Sequence, residues 1–399
     1  MFSDGPCRFS PSVREGLRSA LLVVAAAVVG VVGWSGDPRT LPAALVFPAL
    51  WGPSPSRRVA VAVAAAYFLA ASRGLPQGVA TFYGASVLLG VSLWIGAAIA
   101  FVGVHAVLWS RRPGWGRAVR YGIAAILLAV PPFGIVGWAH PITAAGILFP
   151  EWGWWGLAVT AVIMLAATAR AWQRTLAVLA SLGIWSAVTW TEPARPEGWT
   201  GFDLRFGSSL GRGSDLEQHL ALIGMVRAAA VGGARVVILP ENALGLWTPT
   251  VAELWRSRLR GLDVTVAAGA TVVRPDGYDN VMVVIDPDGA GVVHRQRMPV
   301  PVSMWQPWRA WIGEPGGAHV DLFGESVAMV GGRHVAPLAC YEQLLVWPIL
   351  QSMAHRPDLI AAIGNGWWTA GTDIAAIQKV SSAAWARLFG LPLVVSFNL

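Results

Sequence analysis

Long apolar runs crowd the first half of this 399-residue chain, and they leave it few ways to fold. Seven such runs cover residues 20–34, 41–51, 59–71, 79–109, 121–138, 154–169 and 176–190. Several approach the roughly 20 residues that a helix needs to cross a bilayer, and most lack the polar face of a helix on a soluble core. With 55% hydrophobic and 13% charged residues in the whole chain, the pattern predicts an N-terminal α-helical membrane domain of about seven spans.

Arginines are dense in alternate connections between these runs. They precede the first run and follow the second, fourth and sixth, as Arg8, Arg14, Arg18, Arg57, Arg58, Arg111, Arg112, Arg117, Arg120, Arg170 and Arg174. Because Lys and Arg concentrate on the cytoplasmic side, we expect a multi-pass protein of the bacterial inner membrane with a cytoplasmic N-terminus. With seven spans, the part of the chain after the last span would then be periplasmic. The net charge of +7 comes mostly from these arginines. We therefore expect no nucleic-acid partner.

The composition changes near residue 190. Residues 191–201 have the Pro, Gly and charge content of a linker, so we predict a transmembrane domain over 1–192 and an extracytoplasmic domain over 193–399. The second domain is typical of a mixed α/β fold. Its predicted elements include a helix over 216–230 capped by Asp215, a buried strand over 234–241, hairpins at 286–291 and 331–332, a helix over 373–388 and a strand over 392–398.

Two residues with catalytic chemistry come at the ends of predicted strands. Glu241 ends one strand and Cys340 ends another, so we expect both side chains to project from the same edge of a sheet into a shared cleft. A thiol is largely protonated near neutral pH and needs a base to become a nucleophile. Glu241 is the candidate base. The alternative is that Cys340 simply fills a core, which is the commoner fate of a buried cysteine.

Three motifs favour the catalytic interpretation. They are LPEN at 239–242, HRQRMPVP at 294–301 and CYE at 340–342, in that order and each leaving a strand. Together they resemble the nitrilase, or carbon-nitrogen hydrolase, superfamily, whose triad is Glu, Lys, Cys in this order. With the membrane spans added, the chain is similar to the apolipoprotein N-acyltransferases, and within that group to members that serve plasmid conjugal transfer.

The resemblance implies an α-β-β-α sandwich with Glu241 as general base, Cys340 as nucleophile and Glu342 as a supporting carboxylate. It also implies an acyl group taken from a membrane phospholipid as a thioester and passed to the amine of a lipoprotein. The position of the family lysine is occupied by Arg295, with Arg297 the nearby alternative. Arginine stays cationic and can donate to an oxyanion, although its planar fork differs from an ammonium.

The other candidates carry less chemistry. Lys379 is the only lysine in the sequence. It falls on a predicted helix, where we expect its side chain to be exposed to solvent rather than to enter the cleft. Trp367 and Trp368 would either line an acyl pocket or anchor the domain on the membrane, and the sequence favours neither. The histidines show no paired metal-ligand spacing, so we expect no metal and no cofactor.

These features support three hypotheses. The first is a membrane-bound, thiol-dependent acyltransferase or amidase that uses Glu241, Arg295, Cys340 and Glu342 and serves conjugal transfer. Its expected partners are membrane phospholipid and a lipoprotein or proteins of the conjugation apparatus. The second is a non-catalytic assembly or maturation factor of that apparatus, which keeps the fold after losing the lysine. The third is hydrolysis of a small soluble amide or nitrile.

Overall fold

The computed structural model describes residues 11–169, 172–211 and 216–399. Four residues of the sequence analysis lie outside these ranges. They are the predicted helix cap Asp215, the arginines Arg8 and Arg170, and Cys7, the other cysteine of the sequence. The first half is helical, with α1 (Pro11–Gly33), α2 (Phe47–Trp51), α3 (Arg57–Ala71), α4 (Leu75–Tyr83), α5 (Val87–Leu108), α6 (Trp115–Ala129), α7 (Ala145–Leu148), α8 (Gly153–Ala167) and α9 (Trp172–Val188).

Two described helices are long and apolar enough to cross a membrane, Ser12–Gly33 and Val87–Leu108. Helices α3 and α4 are bent by 51° and would make a third span if they act as one. The run over 79–109, predicted as a single span, is divided between α4 and α5, because Gly84 ends α4 in the left-handed conformation. A count of about seven spans stays a prediction.

The core of the helical half contains a buried tyrosine whose hydroxyl group is fully paired. Tyr67 is fully buried; its hydroxyl accepts a hydrogen bond from Trp34 Nε1 at 2.9 Å and donates to the Ala139 carbonyl at 2.9 Å. Its ring stacks on Phe47 with centroids 4.4 Å apart. Such pairing is what burial of an aromatic hydroxyl requires.

The described residues of the second half form four longer helices and nine strands. The helices are α10 (Leu216–Val231), α11 (Pro249–Leu259), α12 (Val346–Ala354) and α13 (Ile374–Phe389). The strands are β1 (Trp199–Gly201), β2 (Val236–Ile238), β3 (Thr265–Arg274), β4 (Gly277–Ile285), β5 (Ala290–Arg295), β6 (Ala328–Val330), β7 (Arg333–Ala339), β8 (Leu359–Asn365) and β9 (Leu393–Asn398). The first sheet has the order β1-β2-β3-β4-β5 and the second β6-β7-β8-β9.

The two sheets stack face to face between two helical layers. Ile238 and Met282 of the first sheet pack with Val335 and Ile363 of the second in one buried cluster. Helices α10 and α11 cover the outer face of the first sheet, and α12 and α13 cover that of the second. The α-β-β-α sandwich implied by the resemblance is confirmed.

Two expectations about this half are wrong. The predicted linker ends in β1, which pairs in parallel with β2. Glu241 and Cys340 also do not leave the same sheet, because β2 belongs to the first sheet and β7 to the second. The first sheet ends with β5, which pairs antiparallel with β4, and the chain begins a second sheet at β6. The two residues meet because the sheets face each other.

Candidate active site

Cys340 stands at a strained turn directly after β7. Its φ is +45°, a left-handed conformation that non-glycine residues rarely adopt and that concentrates at functional sites. A short 3₁₀ helix, Cys340–Leu344, follows. Glu342 Oε2 accepts a hydrogen bond from the Ala339 backbone at 3.0 Å, which holds the turn closed and fixes the direction of the thiol.

Glu342 is in turn bound to Arg297. Glu342 Oε1 accepts from the Arg297 backbone N–H at 2.7 Å and lies 3.3 Å from Arg297 Nε. Both side chains are essentially inaccessible to solvent. The Arg297 guanidinium also donates to the carbonyls of Pro348 and Pro337 at 3.0 and 3.3 Å. Its charge is therefore used to hold Glu342 and the strand ends together, and not to face the cavity beside Cys340.

Glu241 follows β2 and faces Cys340. Its Oε1 accepts from Asn280 Nδ2 at 2.7 Å and its Oε2 accepts from the Asn365 backbone N–H at 3.1 Å, and the Cys340 thiol is close enough to influence the carboxyl group. Burial raises the pKa of Glu241 to about 7, against the lowering effect of these donors. Near neutral pH the carboxyl group is thus divided between its two protonation states, as a base that must take up and return a proton requires.

The Cys340 thiol is strongly biased toward its protonated form. Burial raises the pKa of this thiol well above its ordinary value, and the negative charge of Glu241 raises it further. Gln378 Nε2 approaches Sγ at 3.6 Å and acts in the opposite direction. Cys340 can therefore attack a carbonyl only if its proton leaves as the bond forms, and Glu241 is the adjacent acceptor.

Arg295 does not lie in this cluster. Its side chain is 57% exposed, with Nε 3.6 Å from Asp279 Oδ2, and it is not among the residues that line the cavity beside Cys340. Side chains alternate along a strand, so it is the next residue, Gln296, that points inward. Gln296 Oε1 accepts from Asn280 Nδ2 at 2.8 Å and Nε2 donates to the Ala339 carbonyl at 3.0 Å.

Sequence reasoning missed three amide side chains of the site: Asn280, Gln296 and Gln378. The alternation of β5 was the available signal for Gln296, because Arg295 falls on the opposite face from the buried residues on each side. Asn280 and Gln378 had no motif of their own. Lys379, as expected, stays out of the cleft, and its Nζ donates to Asp203 Oδ2 at 2.8 Å.

A cavity of about 720 Å³ opens beside Cys340 and draws its walls from both halves of the chain. The helical half contributes mainly apolar residues, among them Leu75, Val79, Phe82, Leu93, Gly96, Ala97, Val136 and Trp138. The sandwich contributes Glu241, Asn280, Cys340, Trp367, Trp368 and Gln378. Trp367 stacks on Phe82 with centroids 6.0 Å apart. Trp367 and Trp368 thus line the pocket, the first of their two predicted positions.

Polar contacts tie the two halves together around the cavity. Arg73, in the connection after α3, donates to Asp373, which precedes α13. Both residues line the cavity. The Tyr341 hydroxyl, one residue after Cys340, donates to the Ile135 carbonyl at 2.8 Å. The residue beside the candidate nucleophile is therefore anchored on the helical half.

The model of the carbon-nitrogen hydrolase family matches residues 69–387. This chain belongs to that family. Conjugal transfer protein TraB of Agrobacterium fabrum is 53% identical to it over 408 residues, which cover 100% of this chain and 97% of that protein. Probable conjugal transfer protein TraB of Sinorhizobium fredii is 54% identical over 385 residues, which cover 96% and 99%. The resemblance inferred from the three motifs is confirmed.

Among solved structures, an amidase from Nesterenkonia sp. is similar to this family member, with 17% sequence identity and a TM-score of 0.35. The match covers 50% of this chain and 74% of the amidase. Within the described residues, no group of three or more His, Cys, Asp or Glu side chains could hold a metal ion.

The site of this carbon-nitrogen hydrolase family member departs from a Glu, Lys, Cys triad in one respect. Among the described residues that line the cavity, Arg73 is the one Lys or Arg side chain, and it is bonded to Asp373. Glu241 is surrounded instead by neutral donors, chiefly Asn280 and the Asn365 backbone. The arrangement offers a nucleophile, a base and amide donors.

Proposed function

We propose that this carbon-nitrogen hydrolase family member is a membrane-bound, cysteine-dependent acyltransferase. The observation that carries the proposal is that Glu241 and Cys340 lie together on the wall of the 720 Å³ apolar cavity, close enough for each to influence the pKa of the other. A volume of this size fits a ligand with a long hydrocarbon chain. The cavity is partly walled by α5, one of the two helices apolar enough to cross a membrane, so a lipid could enter it directly.

The first half of the reaction uses the acyl ester of a membrane phospholipid. Cys340 Sγ attacks the ester carbonyl while its proton passes to Glu241, and a C–S bond forms. When the tetrahedral intermediate collapses, the C–O bond breaks, and Glu241 returns the proton to the leaving alkoxide. The products are a Cys340 thioester and a lysophospholipid.

The second half transfers the acyl group to a primary amine. The amine nitrogen attacks the thioester carbonyl, the C–S bond breaks, and the proton lost by nitrogen reaches the departing thiolate through Glu241. The oxyanion of each step needs a donor, and the Gln378 side-chain amide, 3.6 Å from Sγ, is placed to provide one. Amide donors in a water-excluded site can take this role without a cation.

The biological setting of the proposal comes from the relatives. The two proteins that match nearly the whole chain carry the name conjugal transfer protein TraB, so we place the acyl transfer in plasmid conjugation. The acceptor would be a lipoprotein or a protein of the conjugation apparatus. The arginine pattern supports a site on the periplasmic face of the inner membrane.

The deciding experiment is intact-protein mass spectrometry of the chain purified from native membranes with phospholipid retained. A fatty acyl adduct that hydroxylamine removes is expected on the wild type and should be missing from Cys340→Ser. The sequence has only one other cysteine, so Cys7→Ser is a matched control that should keep the adduct. Absence of any adduct, with Cys340 also unreactive toward alkylating lipid analogues, would refute the enzymatic proposal.

One observation favours a second candidate, the non-catalytic factor of a conjugative apparatus. Among the described residues that line the cavity, the one Lys or Arg side chain is Arg73, and it is bonded to Asp373; Arg297 lies outside the lining and is bonded to Glu342. A site that had lost the family lysine and its activity would leave this arrangement. If that is the case, a Cys340→Ser strain should transfer its plasmid as well as the wild type does.

A further inference from the structure

A second, much smaller cavity lies between the two sheets on the other side of Glu241. Its volume is about 10 Å³, and Glu241 and Asn280 line it as well as the large cavity. His294 and Gln296 are its other polar side chains, and the remaining lining residues are apolar. A volume of ~10–15 Å³ is what one water molecule needs, provided that two to four polar groups surround it. The small cavity meets both conditions.

His294 lines this cavity with an unusual lack of partners. The residue is only 3% exposed, and neither ring nitrogen makes a hydrogen bond of normal geometry with a described residue. The Glu325 backbone is near enough to act on the ring and is the candidate partner for one nitrogen. Because buried polar groups are nearly always paired with protein or ordered water, the other nitrogen calls for a partner inside the cavity.

Glu241 has one place left for a further donor. An ionised carboxylate accepts about four hydrogen bonds. Asn280 and the Asn365 backbone fill two of these places, and the adjacent Cys340 thiol is the candidate for a third. A water molecule between Glu241 and His294 would fill the fourth, and it would give the imidazole its missing partner at the same time.

We propose that the small cavity holds one water molecule, which donates one hydrogen to Glu241 and the other to His294, and that His294 is a positioning residue for Glu241. The role of His294 rests on the proposed function, which makes Glu241 the base. The water site itself does not. No hydrogen bond between described residues joins Glu241 to His294, so the water would be their connection.

The charges around the pair keep His294 neutral, as an acceptor must be. Burial lowers the pKa of His294 to about 3, and the nearby Arg297 guanidinium lowers it as well. Glu241 is faced by Cys340, Glu342 and Tyr278, whose ionised forms would all repel its negative charge. Removal of the water would therefore take a donor from a carboxylate that already ionises with difficulty, and its pKa would rise further.

The test is the pH dependence of Cys340 alkylation by iodoacetamide in the purified full-length protein, followed on the Cys340 peptide by mass spectrometry. His294→Leu removes the acceptor and should move the midpoint of the profile up by about one pH unit, with alkylation about tenfold slower at pH 6. His294→Gln keeps a polar group for the water and should restore most of the rate. Met282→Leu changes an apolar residue of the same cavity and should leave the profile unchanged.

Thermal unfolding of each variant identifies any that fail to fold. If His294→Leu fails to fold, His294→Gln replaces it, and the midpoint of its profile should lie above that of the wild type by a fraction of a pH unit. A folded His294→Leu whose profile superimposes on that of the wild type overturns the inference. A Glu241→Gln variant separates this failure from failure of the proposed function. If Glu241→Gln also leaves the profile unchanged, Glu241 is not the base, whereas a change in Glu241→Gln alone removes only the role of His294.

Discussion

Asn280 donates a 2.7 Å hydrogen bond to Glu241 from the same side-chain nitrogen that donates to Gln296 at 2.8 Å. The neutral amide pair thus occupies the buried side of the candidate base, and Gln296 continues the chain of hydrogen bonds to the carbonyl directly before Cys340. A neutral donor stabilises a carboxylate less than a cation does. This explains why burial remains the dominant influence on the pKa of Glu241.

Loss of the Asn280 amide should leave less of Glu241 in its ionised, proton-accepting form at pH 6. In Asn280→Leu, Glu241 loses a donor that lowers its pKa, so the pKa should rise by roughly one unit and Cys340 alkylation at pH 6 should slow about tenfold. Thr271→Val is the matched control, because Thr271 lines the same cavity but donates to Asn242 and not to Glu241. Equal rates for Asn280→Leu and the wild type would contradict this assignment.

The raised pKa of Glu241 also predicts how stability depends on pH. The pKa is about 7 in the folded protein against an ordinary value of 4.5, so folding favours the protonated form. The resulting stabilisation is complete below pH 4.5 and is lost as the pH rises through 7, by roughly 3 kcal/mol. Melting temperatures of the wild type should fall over this range relative to Glu241→Gln, which cannot ionise. Parallel curves for the two proteins would show that the carboxyl group titrates normally.

The buried ion pair of Arg297 and Glu342 should be costly to break on one side only. Glu342→Gln leaves a buried guanidinium without its counter-ion and should cost about 3–5 kcal/mol of stability. The exposed pair of Arg256 and Glu253, 3.3 Å apart, provides the comparison, and Arg256→Ala should cost less than about 1 kcal/mol. Chemical denaturation in detergent measures both. Similar small losses at the two sites would mean that the buried pair does not hold the turn at Cys340.

How much of this site the sequence could predict differs from one residue to another. Glu241 and Cys340 follow strands of strong apolar character, so their type and their position at strand ends were readable. Arg295 was expected in the site because the motif match assigns a position in the chain. The match ignores the two-residue period of β5, which turns Arg295 outward and Gln296 inward.

The walls of the cavity could not be read from the sequence. Phe82 stacks on Trp367 across the two halves, and no periodicity relates residues so far apart in the chain. The assignment to two sheets was hidden for a similar reason. Strand patterns indicate which residues are buried, but whether the next strand joins the same sheet depends on the hairpin of β4 and β5 and on the long connection after it.

The orientation that the arginine pattern predicts for the helical half can be tested by a fusion experiment. Alkaline phosphatase, which is active only outside the cytoplasm, should be active when fused after residue 196. That point precedes β1, so the fusion leaves the sandwich out and tests the helices alone. A fusion in the arginine-rich connection after Arg112 should be inactive. The opposite pair of results would place Cys340 on the cytoplasmic side and exclude an acceptor in the periplasm.

The proposed acyl transfer predicts that the length of the fatty acid on Cys340 depends on Gly96. This residue of α5 lines the cavity, and a Cβ placed on it would meet no atom within 4 Å. A Leu side chain there can occupy the cavity without disturbing its walls. Gly96→Leu should therefore shift the Cys340 adduct toward shorter fatty acids, or reduce its amount severalfold, as measured by intact-protein mass spectrometry.

Gly103 provides the control for this experiment. It lies on the same helix, also has nothing within 4 Å of a Cβ, and is not among the residues that line the cavity. Gly103→Leu changes helix propensity and bulk by the same amount as Gly96→Leu, so it isolates the effect of filling the cavity. If both variants carry the wild-type range of acyl chains, the cavity does not hold the chain. If both lose the adduct, α5 rather than the cavity has been disturbed.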